Sequence, residues 1–269
     1  MCGVCGCGKE EGEGDRSGHG HEEEGGKHRF VRAKATGRRI RLEHDVLQHN
    51  DGLARENRAL FRARGLLALN LMSSPGSGKT TLLERTIAES GLRERIFVVQ
   101  GDQATDRDAA RIERAGARAF QINTGQGCHL DASMVARAVA QLNPPHGAIL
   151  AIENVGNLVC PALFDLGEAA RIAVISTTEG ADKPLKYPHM FRRSDLVLIN
   201  KLDLLEHVDF SLAECTAHVQ QVNPRAQVLV VSARRGDGLR AFYDWLQQAL
   251  QQALRTVAAG EQSSVEGVR

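Results

Sequence analysis

A glycine-rich turn between an apolar run and a helical run predicts a phosphate-binding loop. The stretch reads "LLALNLMSSPGSGKTTLLE". Its glycines let backbone N–H groups turn inward around phosphate oxygens, and the helix that begins next presents its positive end to them. Lys79 can bring a point charge to the β- and γ-phosphates, and the Thr80 hydroxyl can bind Mg²⁺. Ser73 stands where the usual pattern begins with glycine. The predicted phosphate-binding residues are Gly76, Ser77, Gly78, Lys79, Thr80 and Thr81.

A second motif predicts which base the site reads. Asn200, Lys201 and Asp203 form an N-K-x-D signature in "DLVLINKLDLL". The Asp203 carboxylate can accept hydrogen bonds from the N1–H and the exocyclic amine of guanine, and adenine lacks this pair of donors. Ser232 and Ala233 in "VLVVSARRGDGL" stand where a backbone N–H can bind the base oxygen. In this order behind a phosphate loop, the motif favours GTP over ATP.

Two carboxylates follow apolar runs and are candidates for the chemistry of hydrolysis. Asp102 ends "IFVVQGD" and Glu153 follows "GAILAI". Ligands of parallel sheets bind outside the carboxyl ends of the strands, where such acids can hold Mg²⁺ or orient water. With Lys79 they form the predicted catalytic set, and with Thr80 the predicted magnesium ligands. The alternative for both acids is a capping role in an exposed loop.

Three cysteines crowd the first seven residues, "MCGVCGC". Cys2, Cys5 and Cys7 can wrap one ion, and the terminal amine is near enough to be a fourth ligand. Three sulfurs and a nitrogen suit tetrahedral zinc or planar nickel(II), so the ligand types leave the metal open. Histidines that could add ligands are His19, His21 and His28.

A second cysteine and histidine group is less distinctive. Cys128 and His129 are adjacent in the glycine-rich "NTGQGCHLDA", and Cys160 lies seven residues after Glu153. The residues alone leave open whether they bind metal or are a buried cysteine and a loop. Cys215 is expected to fill the core.

The elements that must position these residues follow from hydrophobic patterning. Apolar pairs recur every seven residues from 43 to 64, which predicts an amphipathic helix ending at Gly65. Short apolar runs then alternate with helical stretches, which predicts an α/β fold with a mostly parallel sheet flanked by helices, as in P-loop NTPases. The predicted strands are 66–72, 96–100, 147–152, 171–176, 195–199 and 227–232.

Composition divides the chain into three parts. Residues 1–28 are rich in Gly and Glu and predict a flexible tail, and a basic linker follows. We expect a metal-binding tail and linker over 1–40, a P-loop GTPase domain over 41–255 and a disordered tail over 256–269. The net charge of +1, the lack of a long apolar run and the lack of a signal peptide predict a cytoplasmic protein with no nucleic-acid or membrane partner.

These motifs together resemble the hydrogenase nickel-incorporation GTPases, the HypB family of nickel metallochaperones. The resemblance covers almost everything from residue 40 to 250, and Ser73 is usual in that family. The matching segments, beside the tail cysteines, are "EHDVLQHNDGLARENRALF", "NLMSSPGSGKTTLLE", "QGDQATDRDAARI", "NTGQGCHLDA", "IENVGNLVCPALFDLGE", "EGADKPLKYPHMF" and "NKLDLL".

The resemblance implies roles for both groups of metal-ligand candidates. The tail cysteines would form a tight nickel site. Cys128, His129 and Cys160 would form a weaker nickel or zinc site at the interface of a GTP-dependent homodimer. The implied cofactors are GTP or GDP, Mg²⁺, Ni²⁺ and Zn²⁺, and the implied partners are the hydrogenase large-subunit precursor and other maturation proteins. Three tail histidines are too few for bulk nickel storage.

The hypothesis that follows is a slow GTPase whose nucleotide state controls its metal. We expect γ-phosphate and Mg²⁺ to order the segment from Glu153 to Cys160, and hydrolysis to release it. A small-molecule or nucleotide kinase, and a metal buffer with nucleotide-controlled assembly, are the alternatives. A chaperone GTPase for a cobalamin-dependent mutase is a further one, although that role does not call for N-terminal thiols.

Overall fold

The computed structural model describes residues 37–102, 107–125 and 127–266. Seven parallel strands form one sheet in the order β3-β2-β4-β1-β5-β6-β7. The strands are β1 Leu67–Ser73, β2 Ile96–Asp102, β3 Arg118–Asn123, β4 Ile149–Glu153, β5 Ala170–Ser176, β6 Leu196–Asn200 and β7 Gln227–Val230. The predicted α/β fold with a parallel sheet is confirmed.

Helices cover both faces of this sheet. They are α1 Gly37–Ala63, α2 Lys79–Glu89, α3 Arg107–Ala115, α4 Ala132–Leu142, α5 Cys160–Leu163, α6 Lys183–Lys186, α7 Pro188–Arg192, α8 Leu212–Val222 and α9 Leu239–Glu266. Every residue of β1, β4 and β6 is buried, because helices pack on both sides of these central strands. Among the described helices, none is both long enough and apolar enough to cross a membrane.

One strand was missing from the prediction. β3 pairs with β2 at the edge of the sheet, from Phe97↔Arg118 to Asp102↔Asn123. Its residues are only partly buried, and both of its ends are exposed. An edge strand in this position lacks the continuous apolar run that identified the other six strands, which explains why it was missed.

Both terminal helices extend beyond the predicted domain of 41–255. α1 begins at Gly37, inside the predicted linker, and α9 continues to Glu266. Residues 256–266 belong to α9, and residues 267–269 lie outside the described residues.

The predicted apolar stripe of α1 is only half buried. Ala54 and Phe61 pack inward with 0% and 2% of their surface exposed. Val46 and Leu60 are instead 50% and 43% exposed. The buried side of α1 is therefore formed by the second residue of these predicted pairs. Asparagines on the same side bond to loops of the sheet domain, as described below.

Candidate functional site

The predicted phosphate loop joins β1 to α2 at the carboxyl edge of the sheet. β1 ends at Ser73, and α2 begins at Lys79 after Gly78, whose φ is +99°. A Cβ at Gly78 would lie 2.5 Å from Asn200 Nδ2. Only glycine therefore suits this position, for both its backbone angle and its contact.

Asn200 of the base-reading motif ties three loops together. Its Nδ2 donates to the Ser77 carbonyl at 2.8 Å, and its Oδ1 accepts from the Ala233 N–H at 2.9 Å. The phosphate loop, the N-K-x-D segment and the turn after β7 are thus held at fixed spacing. Such rigidity is what a site needs to grip a nucleotide at both its phosphates and its base.

Lys79 is buried and bonded to the residue that replaces the usual first glycine. Its Nζ donates to Ser73 Oγ at 2.6 Å. Burial lowers the pKa of Lys79, while the nearby Glu153 charge opposes that shift. Ser73 therefore supplies a hydrogen-bond partner for the ammonium group.

Glu153 lies in the same buried cluster. Its carboxylate accepts from Thr80 Oγ1 at 2.7 Å and from Gln100 Nε2 at 2.9 Å. Burial raises the pKa of Glu153, and the Lys79 charge is the largest opposing influence. A buried carboxylate held next to the phosphate loop is the kind of perturbed group found at functional sites.

Oxygen atoms of the right type for Mg²⁺ line the cavity beside the phosphate loop. This cavity of about 450 Å³ is bordered by Thr80, Asp102 and Glu153. Gln100 also borders it, and in the described residues its buried Oε1 has no hydrogen-bond partner. Hydroxyl, carboxylate and amide oxygens are the hard ligands that Mg²⁺ takes. The residues present therefore fit a magnesium ion.

Asp203 and Ser232 of the base-reading segments are in direct contact. Asp203 lies on a short 3₁₀ helix, Leu202–His207, and its Oδ1 accepts from Ser232 Oγ at 2.5 Å. Lys201 has a left-handed φ of +64°, and its carbonyl accepts from Thr177 Oγ1 at 2.8 Å. This hydrogen-bonded corner presents the Asp203 carboxylate at the same edge of the sheet as the phosphate loop.

The three candidate metal ligands of the domain come together. One ligand atom from each of Cys128, His129 and Cys160 lies within 4.8 Å of the others. Cys128 and Cys160 are 4% and 1% exposed, and the His129 ring stacks on Phe164 with centroids 3.8 Å apart. Burial lowers the pKa of His129, which favours the neutral imidazole that binds metals. Cys2, Cys5, Cys7 and the tail histidines lie outside the described residues.

Helix α1 braces the two segments that carry these ligands. The sequence analysis did not predict these contacts. Asn50 Oδ1 accepts from the Ala132 N–H at 2.9 Å, and its Nδ2 donates to the Asp165 carbonyl at 2.8 Å. Asn57 Nδ2 donates to the carbonyls of Ala132 at 2.8 Å and Leu166 at 3.1 Å. Asn50 and Asn57 are seven residues apart, the same spacing as the apolar pairs. This shared spacing could have indicated that both asparagines lie on the buried side of the helix.

The segment from Glu153 to Cys160 packs against the phosphate loop. A Cβ at Gly156 would lie 2.8 Å from the Cα of Pro75. Glycine is needed here for this close approach. Asn157 Oδ1 then accepts from the N–H groups of Val159 at 2.7 Å and Cys160 at 3.3 Å, which fixes the start of α5.

Comparison with known proteins gives a consistent set of relatives. The CobW/HypB/UreG nucleotide-binding domain matches residues 67–230. The hydrogenase maturation factor HypB of Rhizobium leguminosarum bv. viciae is 58% identical over 82% of this chain and 74% of its own length. The HypB of Escherichia coli K12 is 50% identical over 87% of this chain and 80% of its own.

A solved structure is similar in both fold and sequence. The crystal structure of HypB from Helicobacter pylori in complex with nickel superposes with a TM-score of 0.71 at 40% identity. It covers 76% of this chain and 96% of that one.

Proposed function

Because this chain belongs to the CobW/HypB/UreG family, and within it to the HypB hydrogenase maturation factors, we propose that it is a GTP-hydrolysing nickel chaperone. In this role it binds nickel and delivers it for assembly of the [NiFe]-hydrogenase active site. The relatives are named as hydrogenase maturation factors, and one was crystallised with nickel. The observation that carries the proposal is the convergence of Cys128, His129 and Cys160 within 4.8 Å. Cys160 follows Glu153 of the phosphate site by only seven residues.

The nucleotide in this proposal is GTP. Lys79, with the backbone N–H groups of the phosphate loop, would hold the β- and γ-phosphates. The Asp203 carboxylate would accept from the N1–H and amine of guanine, and the turn at Ser232 and Ala233 would lie beside the base oxygen. The buried position of Asn200 between Ser77 and Ala233 supports simultaneous binding of both ends of the nucleotide.

Hydrolysis in this proposal depends mainly on positioning. Thr80, Asp102 and Glu153 would hold Mg²⁺, which when bound supplies charge neutralisation for the phosphates. Gln100 and Thr80 orient the Glu153 carboxylate through their two hydrogen bonds. Arg111 borders the phosphate cavity, but its guanidinium is paired with Glu84 and Asp108. We therefore expect slow turnover without a partner.

The metal in this proposal is cargo. Two thiolates and an imidazole suit nickel or zinc, and they supply three ligands where a closed site needs four. A second copy of the chain could complete the coordination, which supports a GTP-dependent homodimer with this site at its interface. The tail cysteines Cys2, Cys5 and Cys7 would form a separate and tighter nickel site. The receiving partner would be the hydrogenase large-subunit precursor, with other maturation proteins, in the cytoplasm.

The experiment that tests this function measures both activities on the full chain. GTP hydrolysis is followed by phosphate release, with ATP as the matched control nucleotide. Nickel binding is followed in the same preparation by equilibrium dialysis. We expect hydrolysis of GTP in preference to ATP, together with nickel bound to both sites. Equal use of ATP and GTP, or a chain that retains no nickel, would contradict the proposal.

A further inference from the structure

A single buried side chain connects the phosphate site to the loop that carries two of the metal ligands. Asn154 directly follows Glu153, the last residue of β4, and only 1% of its surface is exposed. Its Oδ1 accepts from the backbone N–H of Leu130 at 3.1 Å and from its neighbour Val155 at 3.0 Å. Leu130 is the residue after His129. The side chain therefore spans from the end of β4 to the ligand loop.

The other half of the metal site is attached to the same point of the backbone. Cys160 begins α5, six residues along the chain from Asn154, and the intervening Gly156 packs against the phosphate loop. Cys128 and His129 are reached through the Asn154 side chain, and Cys160 through its main chain. A displacement at the end of β4 thus acts on both halves of the three-ligand cluster.

The Asn154 amide is held in one orientation by a second buried amide. Its Nδ2 donates to Asn70 Oδ1 at 3.3 Å, and Asn70 Nδ2 donates to Glu168 Oε1, also at 3.3 Å. The backbone N–H of Asn154 donates to the Leu71 carbonyl at 3.0 Å. Asn70 and Leu71 belong to β1, the strand that leads into the phosphate loop. Both polar atoms of the Asn154 side chain are thus bonded within the buried interior, and a bonded buried network of this kind is rigid enough to transmit displacement.

We infer that Asn154 is a positioning residue that couples the nucleotide state to metal affinity. This inference rests on the proposed function, since it requires that the chain binds both GTP and nickel. The γ-phosphate acts on Glu153, and Asn154 carries the resulting shift to the Leu130 N–H and so to Cys128 and His129. Only a difference in metal affinity between nucleotide states makes such a coupling real.

The test is nickel affinity measured once with GDP and once with a non-hydrolysable GTP analogue. The full chain carries Cys2→Ala, Cys5→Ala and Cys7→Ala, so that only the domain site is titrated. With Asn154 intact we expect the two nickel dissociation constants to differ on the order of tenfold, within the range of measured couplings. With Asn154→Leu we expect the ratio to fall to within about twofold of unity while GTP-analogue affinity is retained.

Asn57→Leu is the matched control. It removes a buried amide that braces the ligand loop through the Ala132 carbonyl, and it leaves the bonds of Asn154 in place. We expect nickel to bind more weakly with both nucleotides while the ratio of the two dissociation constants is kept. If this variant lost the nucleotide dependence as fully as Asn154→Leu, the inference would be overturned, because any disturbance of the ligand loop would then be enough.

Hydrogen exchange at the Leu130 amide gives the same test without altering Asn154. We expect this amide to exchange at different rates with GDP and with the GTP analogue, because its acceptor moves with the nucleotide. Equal rates would overturn the inference even if the Asn154→Leu chain fails to fold. If the chain with Asn154 intact binds nickel and GTP but shows the same nickel dissociation constant with GDP and with the GTP analogue, the coupling alone is refuted. A chain that binds neither would refute the proposed function.

Discussion

The Thr80 hydroxyl donates a 2.7 Å hydrogen bond to the Glu153 carboxylate, across 73 positions of sequence. Gln100, paired opposite Glu153 in the neighbouring strand, bonds the second carboxylate oxygen. The start of α2, the end of β2 and the end of β4 therefore meet at one carboxylate. Since Glu153 is 5% exposed, holding its charge there costs stability, and a cost of this kind is common at functional sites.

We expect Glu153→Gln to stabilise the nucleotide-free chain and to slow GTP hydrolysis. Glutamine keeps an acceptor for Thr80 and carries no charge to bury. The melting temperature should rise by about 2–4 °C, which corresponds to ~1 kcal/mol in a chain of this size. Hydrolysis should fall at least about tenfold, as expected when a positioned carboxylate is lost. Calorimetry and phosphate release measure the two effects.

The same variant makes a prediction about pH. Burial raises the folded-state pKa of Glu153 above its unfolded value of about 4.3. Its contribution to stability is therefore fully present below that unfolded value and is lost as pH rises through the folded pKa. The glutamine of the variant does not titrate, so the advantage of Glu153→Gln should grow from about pH 4 towards neutrality. Thermal melts of both chains across this range measure it, and an advantage that shrinks would contradict the assignment.

The placement of local motifs could be predicted from sequence because it depends on spacing within one turn. The phosphate loop and the N-K-x-D segment are of this kind, as are Asp102 and Glu153 at the ends of apolar strands. Ser73 departs from the usual pattern, and only its contact with Lys79 explains what it does there.

Contacts between distant segments could not be predicted in this way. Asn57 reaches Ala132 and Leu166, which are 75 and 109 positions away. The meeting of Cys160 with Cys128 and His129 was implied by the family resemblance, while the residues alone left it open. The edge strand β3 was missed because its partial exposure removes the apolar run on which strand prediction depends.

We expect Asp203→Asn to change the preferred base. Asparagine presents a donor where guanine needs a second acceptor, while xanthine carries a carbonyl oxygen at that position. GTP affinity should fall on the order of a hundredfold, since each lost bond to a charged group is worth about 1.5–3 kcal/mol. XTP affinity should rise. Ser232→Ala, which removes only the 2.5 Å bond to Asp203, is the control and should change GTP affinity far less. Isothermal titration measures the affinities for GTP and XTP. An XTP affinity that does not rise would contradict the role of Asp203 in reading the base.

We expect Cys160→Ala to weaken nickel binding at the domain site at least about tenfold, because a thiolate ligand is lost. The measurement is a nickel titration of the full chain with the three tail cysteines replaced by alanine. Cys215→Ala is the matched control, since Cys215 is equally buried and burial raises the pKa of its thiol to about 12. That thiol stays protonated at neutral pH and should contribute nothing to nickel binding. Equal losses in the two variants would show that the effect is structural.

We expect Asn57→Ala to loosen the metal site from a distance. The substitution leaves the Ala132 and Leu166 carbonyls without their α1 donor, at a cost of about 1–3 kcal/mol. Nickel affinity of the domain site should fall several-fold, while GTP affinity should stay within about twofold, because the Asn57 hydrogen bonds go to the segments that carry the metal ligands and not to the phosphate loop. Glu56→Ala, at the exposed neighbouring position, is the control. Parallel nickel and GTP titrations would refute the bracing role if the two affinities fell together.

The most direct test of a nucleotide-driven nickel chaperone is native mass spectrometry of the metal-free full chain titrated with nickel. One series contains GDP and the other a non-hydrolysable GTP analogue. We predict one nickel per tail in both series, and a dimer with altered metal occupancy only with the GTP analogue. Identical assembly states and identical nickel counts in the two series would contradict the account. They would leave a nickel-binding protein whose phosphate loop serves another purpose.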